Sequence, residues 1–285
     1  MTKISWPNGA RLAMSLVVNV EEGAEGNILD GDKGPEPVDE FQVSLAKPIR
    51  NFGNETNYQY GIRAGAPRVL KLLKDTGVKA TFTSAAVALE RAPQVAEAIA
   101  AEGHEVCAHG YRWAAQHKFD EAGEREFITK ARDSIAKTTG TAPVGWLSRY
   151  LHTERTRSIL AQEGFTYHMD DFSDDMPFWD VAGGKPIVVV PYALDTNDMK
   201  MWMAPGYTAN DWLAYAIDTF DELYAETLEE PKIMSLGVHL RIIGRPGRIG
   251  KLRKFIQHAQ SRPDVWFATR REIAEAFAAQ VKAPT

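Results

Sequence analysis

Two adjacent carboxylates, Glu21 and Glu22, close an apolar segment that begins at Leu12, and the chain turns at Gly23 directly behind them. Acids held at the end of a buried strand can divide two tasks, one drawing a proton from water and the other holding a cation or a protonated partner. The pair alone would equally describe a solvated loop start. Its position between a continuous apolar run and a long glycine-containing loop favours chemistry. Two histidines have comparable positions. His109 follows Glu105-Val-Cys-Ala108 and precedes Gly110, and His239 ends the apolar stretch Ser235-Leu-Gly-Val. An imidazole at a strand end is either a neutral metal ligand or a proton carrier. With Glu21 and Glu22, these histidines form a set able to activate water and protonate a leaving nitrogen. His104 reads as a packing residue at a helix-to-strand junction, and His117 as a surface residue that could still reach a metal. Arg63, Arg149, Arg241 and Arg245 are candidate anchors for carbonyl groups, although most arginines are simply solvated.

Other chemistries lack their signals. No Gly-x-Ser-x-Gly elbow occurs, and neither Gly-x-Gly-x-x-Gly nor a Gly-x4-Gly-Lys-Ser/Thr loop is present. Cys107 is the only cysteine, which excludes an intrachain disulfide and a cysteine-rich zinc module. It sits inside an apolar strand, where a thiol is usually inert packing. The net charge of −5, without a basic block, gives no footprint for nucleic acid. The longest apolar stretches, such as 12–20 and 186–194, fall well short of the roughly 20 residues that span a bilayer. The N-terminal segment lacks the apolar core of a secretory signal. The expectation is a cytoplasmic protein with a small-molecule partner.

These residues need a scaffold, and the pattern along the chain supplies one. Strand-like segments at 11–20, 79–84, 105–108, 144–148, 166–170, 185–192, 232–240 and 265–269 alternate with helical segments at 66–74, 93–102, 120–139, 153–163, 210–226, 249–260 and 271–279. Alternation of this kind builds a mainly parallel sheet covered by helices. No Gly-, Pro- or Ser-rich linker splits it, so residues 1–285 are expected to form a single domain. Residues 23–57 form an unusually long connection and are expected to cover the C-terminal face of the strands, where the chemistry of such barrels sits.

The segments Glu21-Glu22-Gly23, Ala80-Thr-Phe-Thr83, Gly103-His-Glu-Val-Cys-Ala-His-Gly-Tyr-Arg-Trp113 and Ser235-Leu-Gly-Val-His239 resemble the motif series of the polysaccharide deacetylase (NodB-homology) superfamily. Residues 54–65, Asp195-Thr-Asn-Asp-Met199 and Leu240-Arg-Ile-Ile-Gly-Arg-Pro246 resemble its intracellular branch of cyclic imide hydrolases and PuuE-type allantoinases. The resemblance implies an α/β fold, a distorted (β/α) barrel of seven or eight strands, and a homotetramer. The deacetylases of that superfamily use an Asp-Asp pair and two histidines spaced His-x3-His. Here Glu21-Glu22 stands at the acid pair, His109 at the first histidine and Trp113 at the second, so the sugar-deacetylase metal site is incomplete.

The resemblance therefore implies a hydrolase that opens the C–N bond of a small cyclic amide. A cyclic imide is favoured because Gly145-Trp-Leu-Ser-Arg-Tyr150 departs from the Gly-Trp-Tyr-Thr-Gly-Arg type of segment in allantoinases. Allantoin is the alternative, followed by N-deacetylation of a sugar or peptidoglycan and by a non-catalytic binding protein on the same fold. Glu21, Glu22 and His239 are the expected catalytic residues. Arg63, Trp113, Arg149, Tyr150 and Asn197 are the expected substrate contacts. A divalent metal, zinc in the first instance, would take Glu22 and His109 with His117 or His239 as a third ligand; a metal-free site is the other option.

Overall fold

The first strand, β1 (Leu12–Val20), is buried along its whole length, and both of its edges are used. The computed structural model describes residues 4–284 apart from 44 and 46. The other strands are β2 (Thr81–Ser84), β3 (Glu105–Ala108), β4 (Gly145–Trp146), β5 (Tyr167–His168), β6 (Phe178–Ala182), β7 (Lys185–Val189), β8 (Lys232–His239) and β9 (Val265–Phe267). They join in the order β6-β7-β5-β4-β3-β2-β1-β8. One edge of β1 pairs with β8 from Leu12 to Asn19. The other edge is shared, its first residues pairing with β9 and its last with β2. Every pairing is parallel except the β6–β7 hairpin. The expected seven or eight strands thus become a curled sheet with eight strands in its main path and β9 inserted beside β1.

Side-chain alternation along each strand separates two cores. Leu12, Met14, Leu16, Val18 and Val20 of β1, with Met234, Leu236 and Val238 of β8, face the covering helices Ala66–Thr76, Ala209–Glu226 and Pro246–Gln260. Ala13, Val17, Cys107, Tyr167, Val188 and Ile233 face the concave interior, which the helix Arg270–Ala278 plugs with Ile273, Ala274 and Phe277. Asn19 belongs to the interior-facing set, and two residues on so does Glu21. The same parity directs His109 inward two residues after Cys107, and His239 inward in register with Asn19.

The connection after β1 is shorter than expected, because a helix forms at Phe52–Tyr60, capped by the Asn51 side chain on Asn54 N–H. Its buried residues Asn54 and Tyr58 anchor the preceding loop. Asn54 Nδ2 donates to the carbonyls of Glu36 and Val38, and Tyr58 Oη donates to Val38. A π-helical turn, Gly61–Gly65, follows. Such turns concentrate at functional sites. The two end glycines of this turn are sterically required: a Cβ on Gly61 would stand 2.5 Å from a Glu22 carboxylate oxygen, and one on Gly65 would stand 2.2 Å from the Leu240 carbonyl.

Candidate active site

The strand ends bring Glu21, His109 and His239 into one contact group. Oε1 of Glu21 lies 3.3 Å from Nε2 of His109 and 3.4 Å from Nε2 of His239. Oε2 of Glu21 lies 2.7 Å from the guanidinium of Arg241, a fully buried residue in the short helix Leu240–Ile243 that follows β8. Three aromatic rings cage this guanidinium, Tyr58 at 4.3 Å, Trp202 at 5.1 Å and Trp113 at 5.5 Å. A cation held against ring faces is stabilised by their quadrupoles. Burial opposes the charge of Arg241, and the facing Tyr58, Glu21 and Glu22 outweigh that penalty, raising its pKa.

The two glutamates have separate environments. Burial opposes ionisation of Glu21, but Arg241 and His239 overcome it and hold the carboxyl well below the ordinary range. Burial pushes Glu22 upward, with the neighbouring Glu21 charge adding to the effect and Arg241 opposing it. Glu22 also faces away from the cavity. Its carboxylate accepts the backbone N–H of Glu21 at 3.0 Å and that of Arg241 at 3.0 Å. It therefore links the end of β1 to the residue that carries the buried cation.

Each histidine is fixed by a second partner. His239 is bonded through Nδ1 to Asp198 Oδ1 at 2.7 Å, and its backbone N–H donates to the other Asp198 oxygen at 2.9 Å. Burial disfavours an imidazolium here, but Glu21 and Asp198 outweigh it, and the pKa rises to about 9. His109 has the opposite arrangement. Its Nδ1–H donates to the Leu147 carbonyl at 2.6 Å, and its Nε2 accepts the indole N–H of Trp113 at 3.1 Å. A nitrogen that accepts from Trp113 cannot also donate to Glu21, so the 3.3 Å approach is a contact between two acceptors.

These side chains enclose a cavity of about 130 Å³, lined by Glu21, His109, His239, Tyr192, Asn197 and the 147–150 segment. That is well below the roughly 300–1,000 Å³ of sites for drug-sized ligands. Larger clefts of about 610 and 650 Å³ lie beside it but contain none of the converging acid and histidine groups. Ser148 is pinned by Asp170, which accepts both its N–H at 2.7 Å and its hydroxyl at 2.6 Å. Tyr150 has a left-handed backbone, φ 51°, and stacks on Phe172 at the rim.

The expected substrate contacts divide into two groups. Trp113, Tyr150 and Asn197 line the cavity. Arg149 reaches its wall, but the guanidinium is committed to Glu36 at 2.6 and 3.0 Å, to the Trp113 carbonyl at 2.7 Å and to the face of the Trp113 ring. It holds the 34–37 loop and Trp113 in position instead of offering a free donor. Arg63 is exposed on the π-helical turn and does not line the cavity; the cation near the acids is Arg241. His117 is also exposed, in the larger cleft formed with residues 32–37. Asp198 and Tyr192 are the functional candidates that sequence reading missed. Asp198 lies in the quoted segment Asp195-Thr-Asn-Asp-Met199, where its position one residue past Asn197 was the available signal.

The expected metal set does not assemble. Glu22 is turned away and His117 is distant, while Trp113 occupies the lone pair of His109 Nε2. Arg241 already supplies the positive charge at Glu21. Among the described residues no group of three His, Cys, Asp or Glu side chains could hold a metal ion. The side chains present do not fit a zinc site.

A curled parallel sheet with an acid–histidine centre at its strand ends defines a deacetylase-type α/β protein. The chain belongs to the polysaccharide deacetylase family, whose domain matches residues 56–168; its members are hydrolases that act on carbon–nitrogen bonds. It is 36% identical to a Schizosaccharomyces pombe protein provisionally named a polysaccharide deacetylase, over 96% of this chain and 92% of that one. The crystal structure of PuuE allantoinase superposes with a TM-score of 0.91 at 42% identity, covering 96% of this chain and 92% of that one. A Pseudomonas aeruginosa structure, provisionally named a polysaccharide deacetylase, gives 0.91 at 41% identity, with 96% and 93% covered.

Proposed function

We propose that this protein hydrolyses the C–N bond of a small cyclic amide, with allantoin the first candidate. The observation that carries the reading is the 3.4 Å approach of the Glu21 carboxylate to Nε2 of His239 at the wall of a small cavity. Glu21 removes a proton from water as the water oxygen attacks the ring carbonyl. His239 then donates its Nε2 proton to the departing ring nitrogen. Their separation of 3.4 Å allows the proton gained by Glu21 to return to His239 after ring opening. Arg241 keeps the buried Glu21 charged, and Asp198 orients His239 and favours its protonated form. No step is assigned to a metal.

Allantoin is supported by the 42% identity to PuuE allantoinase over nearly the whole chain. A cyclic imide is the second reading, favoured because Leu147, Ser148 and Tyr150 line the cavity and lie in the segment that departs from the allantoinase type. A cytoplasmic homo-oligomer, a tetramer in particular, is part of the same proposal. The test is a ring-opening assay of the purified protein against allantoin, hydantoin, dihydrouracil, succinimide and maleimide. Turnover of allantoin supports the first reading, and turnover confined to succinimide or maleimide supports the second. Inactivity on all five overturns both.

A further inference from the structure

Tyr192, buried just beyond β7, carries a hydroxyl whose neighbours leave its hydrogen one direction to take. The Tyr192 oxygen accepts Nδ2–H of Asn197 at 2.8 Å and Nδ2–H of Asn19 at 3.4 Å. Main-chain groups fix both amides in that sense. Asn197 Oδ1 accepts the Met199 N–H at 2.8 Å. Asn19 Nδ2 also donates to the Val238 carbonyl at 3.1 Å, while its Oδ1 accepts the Thr83 hydroxyl at 2.7 Å. Turning either amide would set like groups against each other.

A phenolic oxygen that accepts two donors has one remaining hydrogen bond to make, through its own O–H. Among the described residues nothing accepts it. Tyr192 lines the same cavity as Glu21, Asn197 and His239, so that hydrogen is available to a bound ligand. The hydroxyl fits there because β8 carries glycine at 237. A Cβ on Gly237 would stand 1.9 Å from the Tyr192 oxygen and 2.9 Å from Asn197 Nδ2. Burial pushes the phenol up to about 12, so it remains a donor across the neutral range.

We propose that Tyr192 is a catalytic residue that donates its O–H to the carbonyl oxygen of the scissile amide and stabilises the oxyanion formed when water adds. This assignment rests on the ring-opening reading. As the water oxygen bonds to the carbonyl carbon, the C=O electron pair moves to the oxygen and Glu21 takes the water proton. The Tyr192 hydrogen bond strengthens at that point. Collapse re-forms C=O, the C–N bond breaks, and nitrogen takes its proton from His239. Tyr192 retains its own proton throughout. A donor placed for the developing charge stabilises the transition state more than the ground state.

The test is Tyr192→Phe, with a companion protein carrying 3,5-difluorotyrosine at position 192, which preserves shape and packing. Loss of one oxyanion donor should lower kcat by about 10²–10³-fold with KM little changed. The difluorotyrosine protein keeps the O–H donor and should retain kcat near that of the unaltered protein at neutral pH. An unchanged kcat in the Phe variant, or a loss in the companion as large as that in the Phe variant, overturns the assignment. The carbonyl stretch of a bound cyclic amide, read by isotope-edited infrared spectroscopy, tests the donor independently of turnover. A red shift present in the unaltered protein and lost in Tyr192→Phe supports the donor contact even if no ring is opened, in which case only its catalytic role falls with the ring-opening reading. An identical stretch in both proteins, or failure of any ring to bind, overturns it.

Discussion

Trp113 donates its indole N–H to Nε2 of His109 at 3.1 Å, while Nδ1–H of the same ring donates to the Leu147 carbonyl. This pairing fixes one neutral tautomer and fills the lone pair through which His109 would hold a metal. Metal dependence is typical of the family's deacetylases. In this chain Trp113 fills that lone pair and Arg241 supplies the charge at Glu21. Dialysis against a strong chelator should leave turnover unchanged, with purified protein containing substoichiometric zinc by elemental analysis. Loss of activity restored by added zinc would refute this arrangement.

The two adjacent glutamates should respond differently to the same substitution. Glu21→Gln removes the proposed base and should lower kcat by at least about 10²-fold. It also leaves Arg241 with a weakened counter-charge, at a cost of up to about 3–5 kcal/mol in stability. Glu22→Gln keeps an acceptor for only one of the two N–H groups, since Glu21 N–H and Arg241 N–H use different Glu22 oxygens, but it touches no substrate. Its effect on kcat should be much smaller. Steady-state kinetics alongside thermal unfolding of both variants checks the order, and equal losses would transfer the base assignment away from Glu21 alone.

The His239–Asp198 pair gives two pH dependences. His239 has a folded pKa of about 9, above its ordinary value of 6.5. Its contribution to stability is therefore complete below about pH 6.5 and is lost as pH rises through about 9, on the order of 3 kcal/mol in all. As the proposed acid it also sets an alkaline limb in kcat near that upper value. Asp198→Asn removes a charge that raises the pKa, so the limb should shift to lower pH and the alkaline loss of stability should shrink. A pH-rate profile unchanged by Asp198→Asn would remove His239 from the acid role.

The sequence revealed what periodicity can carry. Nine buried residues from Leu12 to Val20 mark a central strand, and interior parity from Val17 through Asn19 to Glu21 is legible once the strand is placed. The segment Phe178–Ala182 was missed because its strand is mixed in polarity and only partly buried, which leaves neither alternation nor an apolar run. The helix Phe52–Tyr60 was hidden for a related reason: Asn54 and Tyr58 are its only buried residues, and Asn54 serves the loop through hydrogen bonds. Arg63 and Arg241 could not be ranked from residue type. Only the fold puts one on an exposed turn and the other between two carboxylates. Asp198 and Tyr192 lie in connections between elements, where no period directs a side chain toward the site.

Tyr150 offers a prediction in which binding and stability separate. Its left-handed backbone costs a residue with a Cβ about 1–2 kcal/mol relative to relaxed conformations, yet the side chain is two-thirds exposed, with a relative accessibility of 66%. Packing against Phe172, ring centroids 6.3 Å apart, is the contact that it makes at the cavity rim. Tyr150→Gly relieves the strain while increasing the freedom of the unfolded chain, and these effects offset each other. The melting temperature should therefore barely move. With the rim opened to water, KM should rise about tenfold, the equivalent of losing roughly 1.4 kcal/mol of ring contact. Tyr150→Phe should behave like the unaltered protein, because no described residue bonds the hydroxyl. Kinetics of the two variants, read against their unfolding curves, checks the assignment; an unchanged KM in the glycine variant would make Tyr150 a bystander at the rim.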